Sequence, residues 1–320
     1  MSRTMKQLAA LLLLGAACMN ASAAFPDKPI NMVVPFGAGS ATDTLARCVA
    51  KGLSERLGQP VTVENKPGAG GGIGAAYVAR SAPDGYTLLM GTNGPMAANA
   101  SLYQRLPYDP IKDFAPVALM GRLPMILIGN ADTKASTLPE LIAAARAQPG
   151  ALNFGASNTT ARVWVELLKR MADVDVATVL YSNVGGMMTD LMSGRISYAF
   201  ENVGPSLPQI AAGKVRALAV TTPQRASFAP DIPTVAESGL DKHELVVWFA
   251  MFAPRDTPPP VVERLNAEVN QVLATPELRQ LATQIGMAPA AGSPADLKAY
   301  QEDEVKNWRN LVDMTGVRID

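Results

Sequence analysis

From residue 30 onward, short apolar, β-branched runs alternate with longer segments in which apolar side chains return every three or four positions. Residues 30–34 predict a buried strand, and 41–57 a helix, because Leu45, Val49, Leu53 and Leu57 recur at four-residue spacing. Residues 61–63 make a second strand, a Gly-rich loop at 67–72 leads into a helix ending near 79, and 86–90 make a third strand. Strand, helix, strand, helix, strand at this spacing is the pattern of a parallel sheet with right-handed crossovers.

A second unit follows. It has strands at 117–120 and 125–128, a helix opened by Thr137-Leu138-Pro139-Glu140 in capping-box form, a helix at 161–171, a strand at 176–181, a helix at 186–192 and strands at 196–200 and 215–221. An extended segment at 246–253 precedes Pro258-Pro259-Pro260 and three helices near 261–274, 276–285 and 294–313. These helices are expected to return to the first unit. The reading is two α/β lobes joined by two chain crossings: 25–124 with 250–320, and 125–249.

The N-terminus reads differently. Arg3 and Lys6 precede an apolar run at 8–17, and Ala21-Ser22-Ala23-Ala24 follows. That order predicts a cleavable secretory signal peptide over 1–24, since the run is half the roughly 20 residues that span a bilayer. Gly15-Ala16-Ala17-Cys18 lacks the large apolar residue of a lipoprotein box, so cleavage is expected after Ala23 or Ala24. Removing Arg3 and Lys6 leaves 26 basic against 28 acidic residues and one thiol, Cys48, whose apolar helical setting predicts packing and no disulfide.

Composition narrows the chemistry. The 320 residues carry 28 basic and 28 acidic side chains, so nothing draws the chain to a phosphate backbone, and nucleic-acid binding is excluded. With 48% apolar and 18% charged residues the chain is not of disordered type. One His and two Cys cannot build a zinc finger or a multi-histidine metal site, and no cofactor or metal is expected.

The strongest local feature is Phe36-Gly37-Ala38-Gly39-Ser40-Ala41-Thr42-Asp43, where the first strand turns into the first helix. Ser40 with Asp43 three residues on predicts a helix cap. Free N–H groups at that end, with the hydroxyls of Ser40 and Thr42, suit an anion at the carboxyl edge of the sheet. An ordinary capped turn fits the motif equally well. Gly91-Thr92-Asn93 repeats the strand-to-helix arrangement, and so do Ser157, Asn158, Thr159 and Thr160 in the second unit. The loop at 68–74 lacks a P-loop Lys and the third dinucleotide-fingerprint Gly, which leaves close backbone approach as its role. No G-x-S-x-G and no nucleophile–base pair is present, and His243 lies in a polar connector, so no enzyme is expected. Trp164, Trp248 and Trp308 are expected in the core, and Glu302, Asp303 and Glu304 on a solvated helix face.

Phe25-Pro26-Asp27-Lys28-Pro29-Ile30, Val33-Val34-Pro35-Phe36 with Thr42-Asp43, Val63-Glu64-Asn65-Lys66-Pro67-Gly68-Ala69-Gly70, Pro83-Asp84-Gly85-Tyr86-Thr87-Leu88-Leu89 and Leu106-Pro107-Tyr108-Asp109-Pro110 occur in one order. Arg216-Ala217-Leu218-Ala219-Val220-Thr221 and Pro233-Thr234-Val235-Ala236-Glu237-Ser238-Gly239 follow. Together they resemble the Bug family (TctC-like) of substrate-binding proteins of tripartite tricarboxylate transport systems, across essentially the whole chain after residue 24. The resemblance implies a periplasmic, two-lobed type II binding-protein fold that closes on a small organic carboxylate and delivers it to membrane permease subunits. It implies that first-lobe loops hold the carboxylate through N–H groups, hydroxyls and waters, which places Phe36 to Asp43 and Gly91, Thr92 and Asn93 in the site.

The second lobe departs from the family pattern. The usual Ser-Ala-Gly-x-Gly-Ser loop and its following His become a shorter 154–162 with Arg162 near the His position. Pro-Tyr-Lys-Gly becomes Leu180-Tyr181-Ser182-Asn183, and Phe-Asp-Asn becomes Phe200-Glu201-Asn202. Ser157, Thr159, Asn183 and Asn202 are candidates by position. Arg162 is either a bidentate partner for a distal carboxylate or a surface arginine. Hinges are expected at 122–125 and 246–250. A periplasmic ligand sensor signalling to a membrane receptor is the alternative to transport.

Overall fold

The computed structural model describes residues 25–181, 183–222, 224–226, 229–240 and 245–319. The expected signal peptide and His243 lie outside the described residues. Strand β1 (Ile30–Val34) leads through the 35–40 loop into α1 (Ala41–Leu57). Ser40 caps α1 by accepting the Asp43 N–H, and Gly58 closes it at φ 68°, a left-handed angle that glycine adopts without strain. β2 (Val61–Asn65), a short turn at Ala69–Gly71, α2 (Gly72–Ala79), β3 (Thr87–Thr92), a π turn at Gly94–Ala98 and α3 (Asn99–Leu102) complete the first run.

β4 (Phe114–Leu123) belongs to the first sheet, and one residue later β5 (Met125–Asn130) belongs to the second. The second lobe then adds α4 (Leu138–Ala147), β6 (Asn153–Ala156), α5 (Thr159–Ala172), β7 (Ala177–Leu180), α6 (Val184–Met192), β8 (Tyr198–Asn202), α7 (Val203–Ala211) and β9 (Val215–Val220). β10 (Val247–Pro254) re-enters the first sheet, followed by α8 (Pro259–Leu273), α9 (Pro276–Ile285), β11 (Ala288–Pro289) and α10 (Pro294–Thr315).

The first sheet runs β11-β4-β10-β3-β1-β2 and the second β7-β6-β8-β5-β9. β1, β2 and β3 are parallel, as their spacing predicts, and so are β6, β7 and β8. The strands next to the crossings, β4, β10, β5 and β9, pair antiparallel. Val247, Trp248 and Phe249 already pair with Leu123, Arg122 and Gly121, so the 249/250 boundary falls inside β10.

Two further elements depart from the sequence reading: β11, only two residues long, and α7, whose segment carries Pro205 and Pro208. Pro205 sits in the first turn, where its missing N–H has no partner to lose, and only Pro208 costs an internal bond.

Three apolar clusters hold the lobes. One lies between the first sheet and α1 and α8, and another between the second sheet and α6 and α7. The third is continuous across the lobes, taking in Trp164 and Phe200 from the second and Trp308 and Leu311 from the first. All three tryptophans are buried as expected, but Trp248 Nε1 donates to Glu304 at 2.8 Å. Glu304, half-buried, is therefore tied to the core through Trp248, while Asp303 beside it is exposed as expected. Cys48 is a free, half-buried thiol, and burial pushes its pKa up.

Candidate functional site

Because β1, β3, β6 and β8 run toward the gap between lobes, their carboxyl ends meet there, and each is followed by a helix or turn beginning at that edge. Between them lies a cavity of about 690 Å³. Phe36, Gly39, Ser40, Ala41, Thr42, Thr92 and Asn93 line it from the first lobe, and Ser157, Thr159 and Asn202 from the second. The remaining expected residues stand elsewhere. Gly37 and Ala38 are exposed on the loop behind the rim. Gly91 is packed inside: a Cβ there would meet Met96 and Phe252 at 2.7 and 2.8 Å. Arg162 is half-buried on α5 and Asn183 is exposed, its Oδ1 capping α6 through the Gly186 N–H, and neither lines the cavity.

Asp43 is also outside the lining, and its carboxylate organises the loop instead. It accepts the Gly39 N–H at 2.9 Å, Asn65 Nδ2 at 2.9 Å and the Arg47 guanidinium at 3.0 Å. Burial opposes its charge, but these three donors outweigh that cost and hold its pKa below the usual carboxylate value. The negative charge is thus spent locally, and the helix end facing the cavity keeps its N–H groups.

Several lining residues went unforeseen. Gly70 joins the wall, its carbonyl held by Asn99 Nδ2 at 3.2 Å, so the glycine loop does more than permit close approach. Gly204 and Pro205 open α7, and Gln284 and Ile285 end α9; nothing in their residue types signals a site. Leu123, Val247 and Phe249 from the crossing strands supply an apolar floor.

Among the described residues, no Lys, Arg, Asp, Glu or His lines the cavity. Its polar surface consists of hydroxyls, amides and the N-terminal ends of α1, α5 and α7, whose peptide dipoles present positive potential without a cation. α5 is capped by Asn158, which accepts the Ala161 N–H at 2.9 Å. α7 has no side-chain cap, and Asn202 Oδ1 is buried without a partner among the described residues. The lobes touch through Asn93, whose Nδ2 donates to Thr160 Oγ1 at 2.9 Å in a buried bond. Such a lining can bind an anion and offers no nucleophile–base pair.

Comparison with known proteins agrees with the geometry. The family model described as tripartite tricarboxylate transporter family receptor matches residues 45–317. A solved structure of Rpa4515 from R. palustris with adipate superposes with TM-score 0.84 and 36% identity over 91% of this chain and 98% of that one. Periplasmic binding protein BugD gives 0.82 and 33% over 92% and 99%. MatC from Rhodopseudomonas palustris with bound malate gives 0.81 and 33% over 90% and 100%. The likeness extends across both lobes, so the fold is that of the two-lobed periplasmic solute-binding proteins, in a family of receptors rather than enzymes. The chain belongs to the tripartite tricarboxylate transporter (TctC) receptor family, with the Bug proteins among its relatives.

Proposed function

We propose that this protein is an extracytoplasmic receptor that captures a small organic carboxylate between its lobes and delivers it to the membrane permease subunits of a tripartite transporter. The observation that carries the reading is the uncharged cavity where helix N-termini from both lobes converge. A carboxylate satisfies N–H and hydroxyl donors there, whereas a cation would face like-signed dipole ends. Adipate and malate in the similar structures support the ligand class. The leader expected over 1–24 supports a periplasmic location. Ser40, Thr42, Thr92 and Asn93 hold one carboxylate from the first lobe. Ser157, Thr159 and Asn202 receive the far end of the ligand, and the Leu123, Val247 and Phe249 floor accepts its carbon chain.

In this mechanism the lobes rotate about the crossings at 123–125 and 245–247, water leaves the cavity, and the closed form is the one the permease recognises. A thermal-shift screen of the chain lacking residues 1–24 against mono-, di- and tricarboxylates, acidic amino acids and aromatic acids tests the ligand class. A compound at 100 times its Kd adds about 2.7 kcal/mol, a shift of several degrees. Silence across every carboxylate class overturns the proposal. Small-angle scattering with the best compound tests closure, which an unchanged radius of gyration rules out.

A further inference from the structure

An ionisable group lies directly behind the second-lobe wall of the cavity. Glu201, on the central strand β8, is fully buried. Its Oε1 accepts the Asn202 N–H at 2.7 Å, and its Oε2 is hydrogen-bonded to the hydroxyl of Ser157, a lining residue. We propose that Glu201 is a proton-dependent positioning residue that sets whether Ser157 donates to or accepts from the ligand, so that carboxylate binding is coupled to proton uptake; this rests on the carboxylate reading above.

The atoms dictate the coupling. With Glu201 ionised, Ser157 Oγ–H points back to Oε2 and only lone pairs face the cavity, with a negative charge behind them. With Glu201 neutral, Oε1 still accepts the Asn202 N–H, so the acid proton sits on Oε2 and donates to Ser157 Oγ. The serine proton is then free to turn toward the ligand as a donor. A carboxylate therefore favours the neutral form, and a ligand bearing an ammonium or hydroxyl donor favours the ionised one.

The surroundings suit a proton held on Glu201. β5 and β6, the 157–158 loop and α7 carry no ionisable side chain at all. On α5, which also packs against β8, Glu166 is paired with Lys169 at 2.9 Å, and Arg162 and Arg170 make no bond to Glu201. On α6, Asp190 is bound to Arg195 and to the Tyr181 hydroxyl. Burial drives the Glu201 pKa up, against the smaller opposing pull of the Ser157 and Asn202 donors, and no cation offsets it.

The test compares wild type with Glu201→Gln, whose amide can accept the Asn202 N–H and donate to Ser157, imitating the neutral acid. Between about pH 6.5 and 9, above the ordinary carboxylate range, adipate is fully ionised and any slope belongs to the protein. Adipate affinity of the wild type is expected to fall toward tenfold per pH unit above the Glu201 pKa, with proton uptake seen as a buffer-dependent calorimetric heat. Glu201→Gln should bind with a flat profile and no uptake. Ser157→Ala should lose the slope as well, a result that burial of Glu201 alone does not produce. Infrared spectra without ligand, followed from acid to alkaline pH, should show a protonated carboxyl that persists above the ordinary carboxylate range and that Glu201→Gln lacks. Equal slopes in wild type and Glu201→Gln, or absence of that carboxyl band, overturn the proposal. Failure of both proteins to bind adipate, malate or any other screened carboxylate removes the carboxylate reading and the coupling with it, while the infrared band still reports the carboxyl's own state.

Discussion

Two buried carboxylates a lobe apart have opposite relations to pH. Glu201 has its pKa raised above the ordinary 4.5 chiefly by burial, so above that value the folded chain holds a proton that the unfolded chain has released. Its contribution to stability is complete below the unfolded value and is lost as pH rises through the folded one, with a slope of up to about 1.4 kcal/mol per pH unit. Denaturant titrations at acid and alkaline pH should show Glu201→Gln gaining on the wild type as pH rises. Asp43 is the reverse case. Burial opposes its charge, but Arg47, the Gly39 N–H and Asn65 lower its pKa below 3.8. Its contribution is present above 3.8 and lost as pH falls through the folded value. Asp43→Ala should therefore cost about 1–3 kcal/mol near neutrality, and the deficit should shrink in acid. A deficit that stays constant with pH would mean the lost packing, not the charge, is what matters.

Among the elements, α1 was legible to the residue because its signals are local: a Ser40 cap, a four-residue apolar stripe and Gly58. The strand-to-helix loops of the first lobe were legible for the same reason. Tertiary context hid the rest. Gln284 and Ile285 reach the cavity only because α9 docks beside α7, and Gly70 because its loop folds onto Asn99. Glu201 stands where the family pattern has an Asp, yet nothing local says that Ser157, 44 positions earlier, would meet it. The glycine loop is expected to permit close approach, and Gly74 does this at the α2 end: a Cβ there would lie 2.9 Å from Pro35 Cβ and 3.0 Å from the Lys66 carbonyl oxygen. Neither neighbour is a flexible side-chain tip, so Gly74→Ala must shift α2 against β1. It should cost about 1–3 kcal/mol by denaturation, and the displaced 35–40 loop should weaken whichever carboxylate the thermal-shift screen selects.

At the scale of the molecule, the lobes are fastened unevenly. On the α5–α10 side one apolar cluster runs through both, with Trp164 stacked on Phe200 and Trp308 buried nearby. At the cavity rim the link is thinner: the Asn93–Thr160 bond, and the start of α7 lying against the end of α9. There a Cβ on Gly204 would sit 3.1 Å from the Ile285 Cα and carbonyl oxygen, and Gly286, at φ 73°, gives Val203 room. Backbone cannot swing aside as a side chain can, so a valine at Gly204 presses the start of α7 and the end of α9 apart, while the continuous cluster keeps the lobes joined. Gly204→Val should therefore enlarge the ligand-free radius of gyration without lowering cooperativity of unfolding. It should also weaken the screened carboxylate about tenfold for each 1.4 kcal/mol that closure then costs. Since Gly204 also lines the cavity, affinity alone does not separate a blocked site from a propped rim, and the ligand-free scattering does. A larger molecule with its unfolding transition intact places the hinge on the α5–α10 side; an unchanged one means the rim contact bends locally and carries none of the closure.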